Sequence, residues 1–299
     1  GLPVHILAAH TKAPVSPDTS LSEPVTRCWA ESREDDLADL LSVIRAEDLQ
    51  TIVIQFNYGF FNFAHLARLI ETLKEDGRQV VLTLHATDDT PHPSGIQLAS
   101  IRKVLARCDR ILVHKVLDAN RMKDLGLVEN VTLFPHGVLP MMEAPALRKQ
   151  PRTEPFVIGS YGFFLPNKGL PELVEAVSHL RADGRNVRLR MVNAEYPVGE
   201  SRNLIEEVKD QIARADLGGA VEMDTRFLPD ETALSKLADC DLIVFGYQRS
   251  SESASGAVRY GLISGRPVAV TPLEIFSDVA DYCIQLPGVT PAEMAQGIA

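Results

Sequence analysis

The chain has 299 residues, 45% of them apolar, and a formal net charge of −10. That length suits two domains of about 150 residues better than one core, and the acidic balance excludes a general nucleic-acid binder and disfavours strong attraction to anionic lipid. No apolar run approaches the ~20 residues that a membrane-spanning helix requires, which leaves at most peripheral membrane contact.

Strand-like and helix-like segments alternate from the start. Val- and Ile-rich runs at Val4–Ala8, Ile52–Phe56, Val80–Leu84, Ile111–Val113 and Val131–Phe134 read as strands. The amphipathic stretches Leu37–Ile44, Ala64–Lys74, Ile96–Ala106 and Val116–Leu125 read as helices between them. The segment Leu139–Pro155 breaks this rhythm with four prolines, mixed charge and no periodicity, as a linker does. The pattern then resumes with strands at Phe156–Gly159, Val187–Val192, Ala220–Met223, Leu242–Phe245, Val268–Val270 and Tyr282–Gln285, and helices at Gly169–Arg181, Asn203–Arg214, Glu231–Leu237 and Ala257–Ile263. Continuous apolar strands alternating with helices imply parallel sheets covered on both faces. The expected organisation is two doubly wound domains, 1–140 and 156–299, joined by a linker at 141–155, with ligands in the cleft beyond the strand carboxyl ends. The four cysteines, Cys28, Cys108, Cys240 and Cys283, form no CxxC pair, the usage of free thiols in a reducing cytoplasm. The chain opens on Gly1 rather than Met and runs almost at once into a strand; the expectation is a trimmed chain whose first elements precede it, with no signal peptide at Gly1–Val4.

The stretch Ser250–Pro272 carries the most chemistry. It opens with the carboxylate Glu252, continues through the small residues Ser253, Ala254, Ser255 and Gly256, and leads into a helix. Small residues at a helix start let a ligand reach the exposed N–H groups at its positive end, which favours a phosphate. A carboxylate next to a phosphate is costly unless it faces another part of the ligand, and a sugar hydroxyl suits it. Upstream, Gly159–Gly162 and Phe163–Gly169 read as a loop after a strand. Lys168 there stands at a helix start, where the dipole disfavours a cation unless an anion lies in front.

In the first half, His85, His114 and His136 each follow a strand. His85 precedes a polar loop and reads as functional; the other two read as capping loops or bonding nearby carbonyls. Asp88 and Asp89 are adjacent, so their side chains diverge, and an Asx turn suits them better than a metal site. Asn57, Tyr58 and Gly59 also follow a strand and are candidate acceptor contacts, while Phe60 and Phe61 read as packing on the core.

These pieces together resemble the retaining group 1 (family 4-like) glycosyltransferases of the GT-B fold. GFFLPNKGLPELVEAV resembles that family's glycine, basic residue and Lys-Gly opening of a helix, and SESASGAVRYGLISGRPVAV its glutamate loop. FLPDETALSKLADCDLIVFGY matches the element before that loop; VVLTLHA and CDRILVHKVLDANRMKDLGLVENVTLFPHGV resemble first-domain segments. The resemblance implies that Lys168 binds the donor diphosphate, that Glu252 holds donor-sugar hydroxyls, that the backbone at Ser255, Gly256 and Ala257 cradles a phosphate, and that His85 lies near the transferring sugar. It also places Gly162 and Tyr260 at the donor. Two positions depart from the family: Phe163, beside Gly162, stands where an arginine is usual, and Tyr260 stands where a second glutamate binds the ribose. The expected activity is metal-independent, cofactor-free transfer of a hexose from a nucleotide diphosphate sugar to a glycan or lipid-linked acceptor, with retention by front-face attack, in cytoplasmic polysaccharide biosynthesis. A sugar-nucleotide epimerase of similar architecture and a catalytically degenerate nucleotide-sugar binder remain alternatives.

Overall fold

The computed structural model describes residues 3–10, 23–32, 34–89, 97–138 and 155–299. The linker read at 141–155 lies outside these residues apart from Pro155. The chain divides into two compact units, Gly1–Pro135 with Ser251–Ser253, and His136–Ser250 with Ala254–Ala299. Both are α/β with parallel strand pairing throughout the described residues.

In the first unit, β1 (Ile6–Ala9) pairs with β2 (Val25–Trp29) in a small sheet. The rest runs α1 (Ala38–Ala46), β3 (Thr51–Phe56), α2 (Phe63–Glu75), β4 (Gln79–Leu84), a 3-10 turn (Leu98–Ile101) continuing into α3 (Arg102–Leu105), β5 (Arg110–Val113), α4 (Val116–Asp124) and β6 (Val131–Leu133). The four strands β3 to β6 lie side by side in chain order. Helix α2 forms because Leu66, Leu69, Ile70 and Leu73 recur at helical spacing and bury one face. Asn62 starts it, its Oδ1 accepting the Ala64 N–H at 2.9 Å. Strand β2 was not expected from the sequence, since Arg27 interrupts its pattern; there the guanidinium donates to the Ala9 carbonyl at 2.6 Å and Trp29 stacks on Phe61 with ring centroids 5.1 Å apart. Phe61 is therefore core, as its sequence context suggests.

The second unit runs β7 (Phe156–Phe164), α5 (Leu170–Ala182), β8 (Val187–Glu195), α6 (Gly199–Arg214), β9 (Val221–Asp224), α7 (Asp230–Ala238), β10 (Leu242–Phe245), α8 (Gly256–Ile263), β11 (Val268–Val270), β12 (Ile284–Gln285) and α9 (Pro291–Ile298). Its sheet order is β12-β11-β10-β7-β8-β9. The chain starts in the middle at β7, fills one side, then returns to fill the other. Residues of α5, α6 and α9 pack on one face, and residues of α7 and α8 on the other. The order therefore reverses between β7 and β10, the point where the loops leaving neighbouring strands diverge and leave a crevice.

One element differs from the sequence reading. Gly159–Phe164 is not a loop: β7 runs to Phe164 and pairs residue by residue with β8 as far as Glu195. Ser160 and Asn193, both buried, join their side chains at 2.6 Å across that extension, so polar residues that resemble loop composition here complete a ladder.

At the reversal point the two loops touch. Gly169, the N-cap of α5, has φ 72°, and a Cβ placed on it would stand 1.7 Å from the Gly246 carbonyl oxygen. Substitution of Gly169 with alanine combines a left-handed backbone penalty with a backbone clash. Gly169→Ala should therefore cost at least about 2 kcal/mol, measured as a fall in the chemical-denaturation midpoint, with Gly184→Ala (positive φ, open space around the Cβ) as the milder control.

Candidate functional site

The second unit gathers most of the sequence-derived donor residues at its reversal point. After β7 the chain turns through Asn167 and Gly169, both with positive φ. The turn is pinned to the segment after β10: Gln248 N–H donates to the Asn167 carbonyl at 2.8 Å, and Arg249 Nε donates to Asn167 Oδ1 at 2.9 Å. Lys168 sits at its apex, with Nζ 4.1 Å from the centroid of the Tyr247 ring. A cation over an aromatic face is attracted by the ring quadrupole. Tyr247 is buried, and its hydroxyl meets Ser255 Oγ at 3.3 Å.

Ser255 is the N-cap of α8; its Oγ accepts the Val258 N–H at 3.3 Å. The amides of Gly256 and Ala257 open the helix beyond it. Gly162, at φ 127°, brings the β7 backbone against the same turn, where a Cβ would stand 3.4 Å from Ala257 Cβ. Tyr247 thus links Lys168 to Ser255 at the start of α8, and Gly162 lies against Ala257 in the first turn of the same helix. Arg259 supports the arrangement from behind: buried, it donates to the Ser255 and His136 carbonyls and pairs with Asp278. His136 approaches from the side, its Nε2 3.7 Å from where a Gly256 Cβ would be.

Tyr260 lies one turn along α8. Its ring stacks on Tyr161 at 4.6 Å, and its hydroxyl donates to Asp230 Oδ1 at 3.0 Å. Burial first, and then Asp230, raise its phenol above the ordinary value. Phe163 offers no cation; it stacks at 6.1 Å on Phe227, which is 80% exposed, and meets Tyr196 edge-on at 5.0 Å.

In the first unit, His85 follows β4. Its Nε2 meets Gln55 Oε1 at 2.7 Å, and its Nδ1 meets Nε2 of the buried His114 at 3.1 Å. His114 Nδ1 in turn meets the Phe134 carbonyl at 3.0 Å, the carbonyl-bonding role its sequence context suggests. Ser251–Ser253 belongs to this unit: the Ser253 N–H donates to the His85 carbonyl at 2.8 Å. The neighbour of Glu252 is therefore bonded to His85, and Glu252 itself is exposed. Asn57 closes a turn by accepting the Phe60 N–H at 3.1 Å. Tyr58 packs edge-on against Phe56 and donates its hydroxyl to Asp89 at 2.6 Å, and burial with that carboxylate pushes its phenol well above the ordinary range. Gly59 is exposed, with open space where a side chain would be. Asp89 also accepts the Leu98 and Ala99 N–H groups at 2.7 and 3.1 Å, so it caps the 3-10 turn.

Sequence reasoning missed Tyr247, Arg259 and Asp230. Tyr247 had a readable signal, two residues past an apolar strand end. The others act through partners distant in sequence, which no local pattern reveals.

No protein-family model matches the sequence, and no curated protein matches it. Solved structures match its fold. A glycosyltransferase from Rickettsia africae ESF-5 has a TM-score of 0.70 at 15% identity, covering 92% of this chain and 74% of that one. The UDP-forming α,α-trehalose-phosphate synthase from Burkholderia xenovorans, solved in complex with glucose-6-phosphate, has a TM-score of 0.67 at 12% identity, covering 87% and 68%. Anabaena HepE, solved in complex with UDP and glucose, has a TM-score of 0.65 at 15% identity, covering 92% and 75%. At these identities the likeness is one of fold: the chain has the GT-B architecture of these glycosyltransferases.

The loop that carries Phe227 is fastened by charge. The Asp224 side chain, 7% exposed, accepts Arg226 Nη2 at 2.7 Å and lies 3.2 Å from Lys236 Nζ. The Arg226 hydrogen bond, with Lys236 adding to it, holds the Asp224 carboxyl well below its usual range. A depressed folded-state value means that this stabilisation is complete above the unfolded carboxyl value near ~4 and is lost as pH falls through and below it. Asp224→Asn should therefore lose part of the wild type's drop in denaturation midpoint between about pH 6 and pH 3, with the difference between the proteins shrinking toward the acid end.

Proposed function

We propose that the protein is a retaining glycosyltransferase that takes a hexose from a nucleotide diphosphate sugar and passes it to a hydroxyl of a glycan or lipid-linked acceptor, without a metal ion. The observation that carries this reading is the second unit's reversal point, where the Lys168 ammonium lies over the Tyr247 ring and the hydroxyl of the same tyrosine meets Ser255, the N-cap of α8. As the glycosidic bond breaks, the leaving diphosphate gathers negative charge. Lys168 and the Gly256 and Ala257 N–H groups are fixed donors for that charge, and such donors need no reorganisation as the reaction proceeds. The cation–π contact helps to hold the ammonium in place.

Glu252 is assigned to the sugar hydroxyls and His85 to the vicinity of the transferring sugar, in keeping with the bond between Ser253 and His85. Tyr260, bonded to Asp230, is assigned to the ribose. Asn57, Tyr58 and Gly59, beyond β3, are assigned to the acceptor. The GT-B likeness, and the UDP and glucose bound by HepE, agree with a nucleotide sugar as donor. Binding without transfer is the second reading. It is favoured by Phe163, which places an aromatic ring where the resemblance leads one to expect an arginine.

Lys168→Ala tests the central assignment. Turnover of a nucleotide sugar should fall by about 10²–10³, while thermal unfolding without ligand stays near that of the wild type. Undiminished transfer by this variant would overturn the phosphate assignment. Nucleoside diphosphates should raise the wild-type unfolding temperature by mass action, and the base that does so most strongly identifies the donor. Ligand binding without turnover of any nucleotide sugar selects the second reading.

A further inference from the structure

The first unit contains a buried carboxylate that the phosphate-binding apparatus does not use. Asp118, in the first turn of α4, is 0% exposed. Its Oδ2 accepts the Lys115 N–H at 3.0 Å. Its Oδ1 accepts the Thr87 hydroxyl at 2.6 Å and the Ser253 hydroxyl at 2.9 Å. Arg121 adds a charge, with Nη1 3.8 Å from Oδ1 and 3.2 Å from the Thr87 hydroxyl. Burying a carboxylate is costly unless donors and a cation surround it, and here they do.

The cost is offset by donors, but one of them is distant: Ser253 is 135 residues away along the chain. It is 2% exposed and is held at two atoms, its hydroxyl by Asp118 and its N–H by the His85 carbonyl at 2.8 Å. The segment Ser250-Ser251-Glu252-Ser253-Ala254-Ser255 has no large apolar side chain to anchor it and lies in neither a helix nor a strand. Hydrogen bonds must therefore fix its course.

We infer that Asp118 is a positioning residue for the sugar end of the donor site: by clamping Ser253 it sets the place of the adjacent Glu252 carboxylate. This rests on the glycosyl-transfer reading, in which Glu252 meets the sugar hydroxyls. A carboxylate suits the role better than an amide, because it accepts on both oxygens from three donors at once. The clamp governs which sugar is accepted and leaves diphosphate binding to other residues.

The test uses the full chain and three probes: UDP, UDP-glucose and UDP-galactose, the two sugars differing in the configuration at one hydroxyl. Ser253→Ala removes the clamp while leaving Asp118 its Thr87 and Lys115 donors. It should leave UDP affinity within about twofold, weaken the better-bound UDP-sugar about three- to tenfold, the worth of a hydrogen bond, and flatten the preference between the two sugars. Unchanged UDP-sugar binding by this variant, or an equal fall for UDP and both sugars, overturns the proposal. If another base stabilises the protein more strongly than UDP, the same comparison is made with that base's diphosphate and two of its sugars; a wild type that binds no nucleoside diphosphate and no nucleotide sugar overturns the donor reading itself, and the role of Glu252 with it. A second variant needs no ligand: Asp118→Ala, which removes both oxygens, should speed hydrogen exchange at the Ser253 amide at least about tenfold, and unchanged exchange there overturns the clamp.

Discussion

The backbone of Gly169 lies against the carbonyl of Gly246 so closely that no side chain fits between them. The second unit's candidate site depends on this approach. It draws the turn after β7 onto the segment after β10, two strands that are neighbours in the sheet but far apart along the chain. Only then can Lys168 reach over Tyr247 and the β7 backbone lie beside the start of α8. Glycine at 162 and 169 answers two separate demands, a left-handed backbone and a close neighbour. The catalytic proposal thus rests on a steric fact about chain packing before it rests on any charge.

Electrostatics follow from that packing. A protein of net charge −10 repels an anionic ligand at long range, so attraction must be local. On the proposed reading Lys168 and the amides that open α8 provide it, while the face of Tyr247 attracts the ammonium and not the anion. The nearby guanidinium of Arg259 is matched by Asp278 and takes backbone carbonyls, so its function is to hold the start of α8 in shape.

Much of this was legible in the residues. Apolar runs bounded by polar turns located every strand of both larger sheets, and α2 and α5 were read closely because their buried positions recur at helical spacing. The reading failed where the signal was weak or distant. Strand β2 carries Arg27 in its middle, which interrupts the apolar run, although its partner β1 was read at Val4–Ala8. Helix α9 was passed over, although Thr290 and Glu293 form a capping box that the spacing announces. Extension of β7 through Gly159–Phe164 was hidden by glycine and serine, which belong equally to loops. In the candidate site, Lys168 could be named because a cation at a helix start breaks a local rule, and the start of α8 because small residues leave its amides open, whereas Gly162 was named through the family resemblance alone. Asp118 could not be named, because a carboxylate in the first turn of a helix is ordinary by itself, and its distant partner becomes visible only in three dimensions.

The row Gln55–His85–His114 leaves one matter of arithmetic. With the Gln55 oxygen toward His85, as placed, and the Phe134 carbonyl at the far end, acceptors stand at both ends of two imidazoles that also share a hydrogen between them. That pattern needs three ring hydrogens, one more than two neutral rings possess. Turning the amide about, so that its NH₂ faces His85, satisfies the same three bonds with two. The orientation of a single glutamine side chain therefore decides how many ring hydrogens this row of bonds requires.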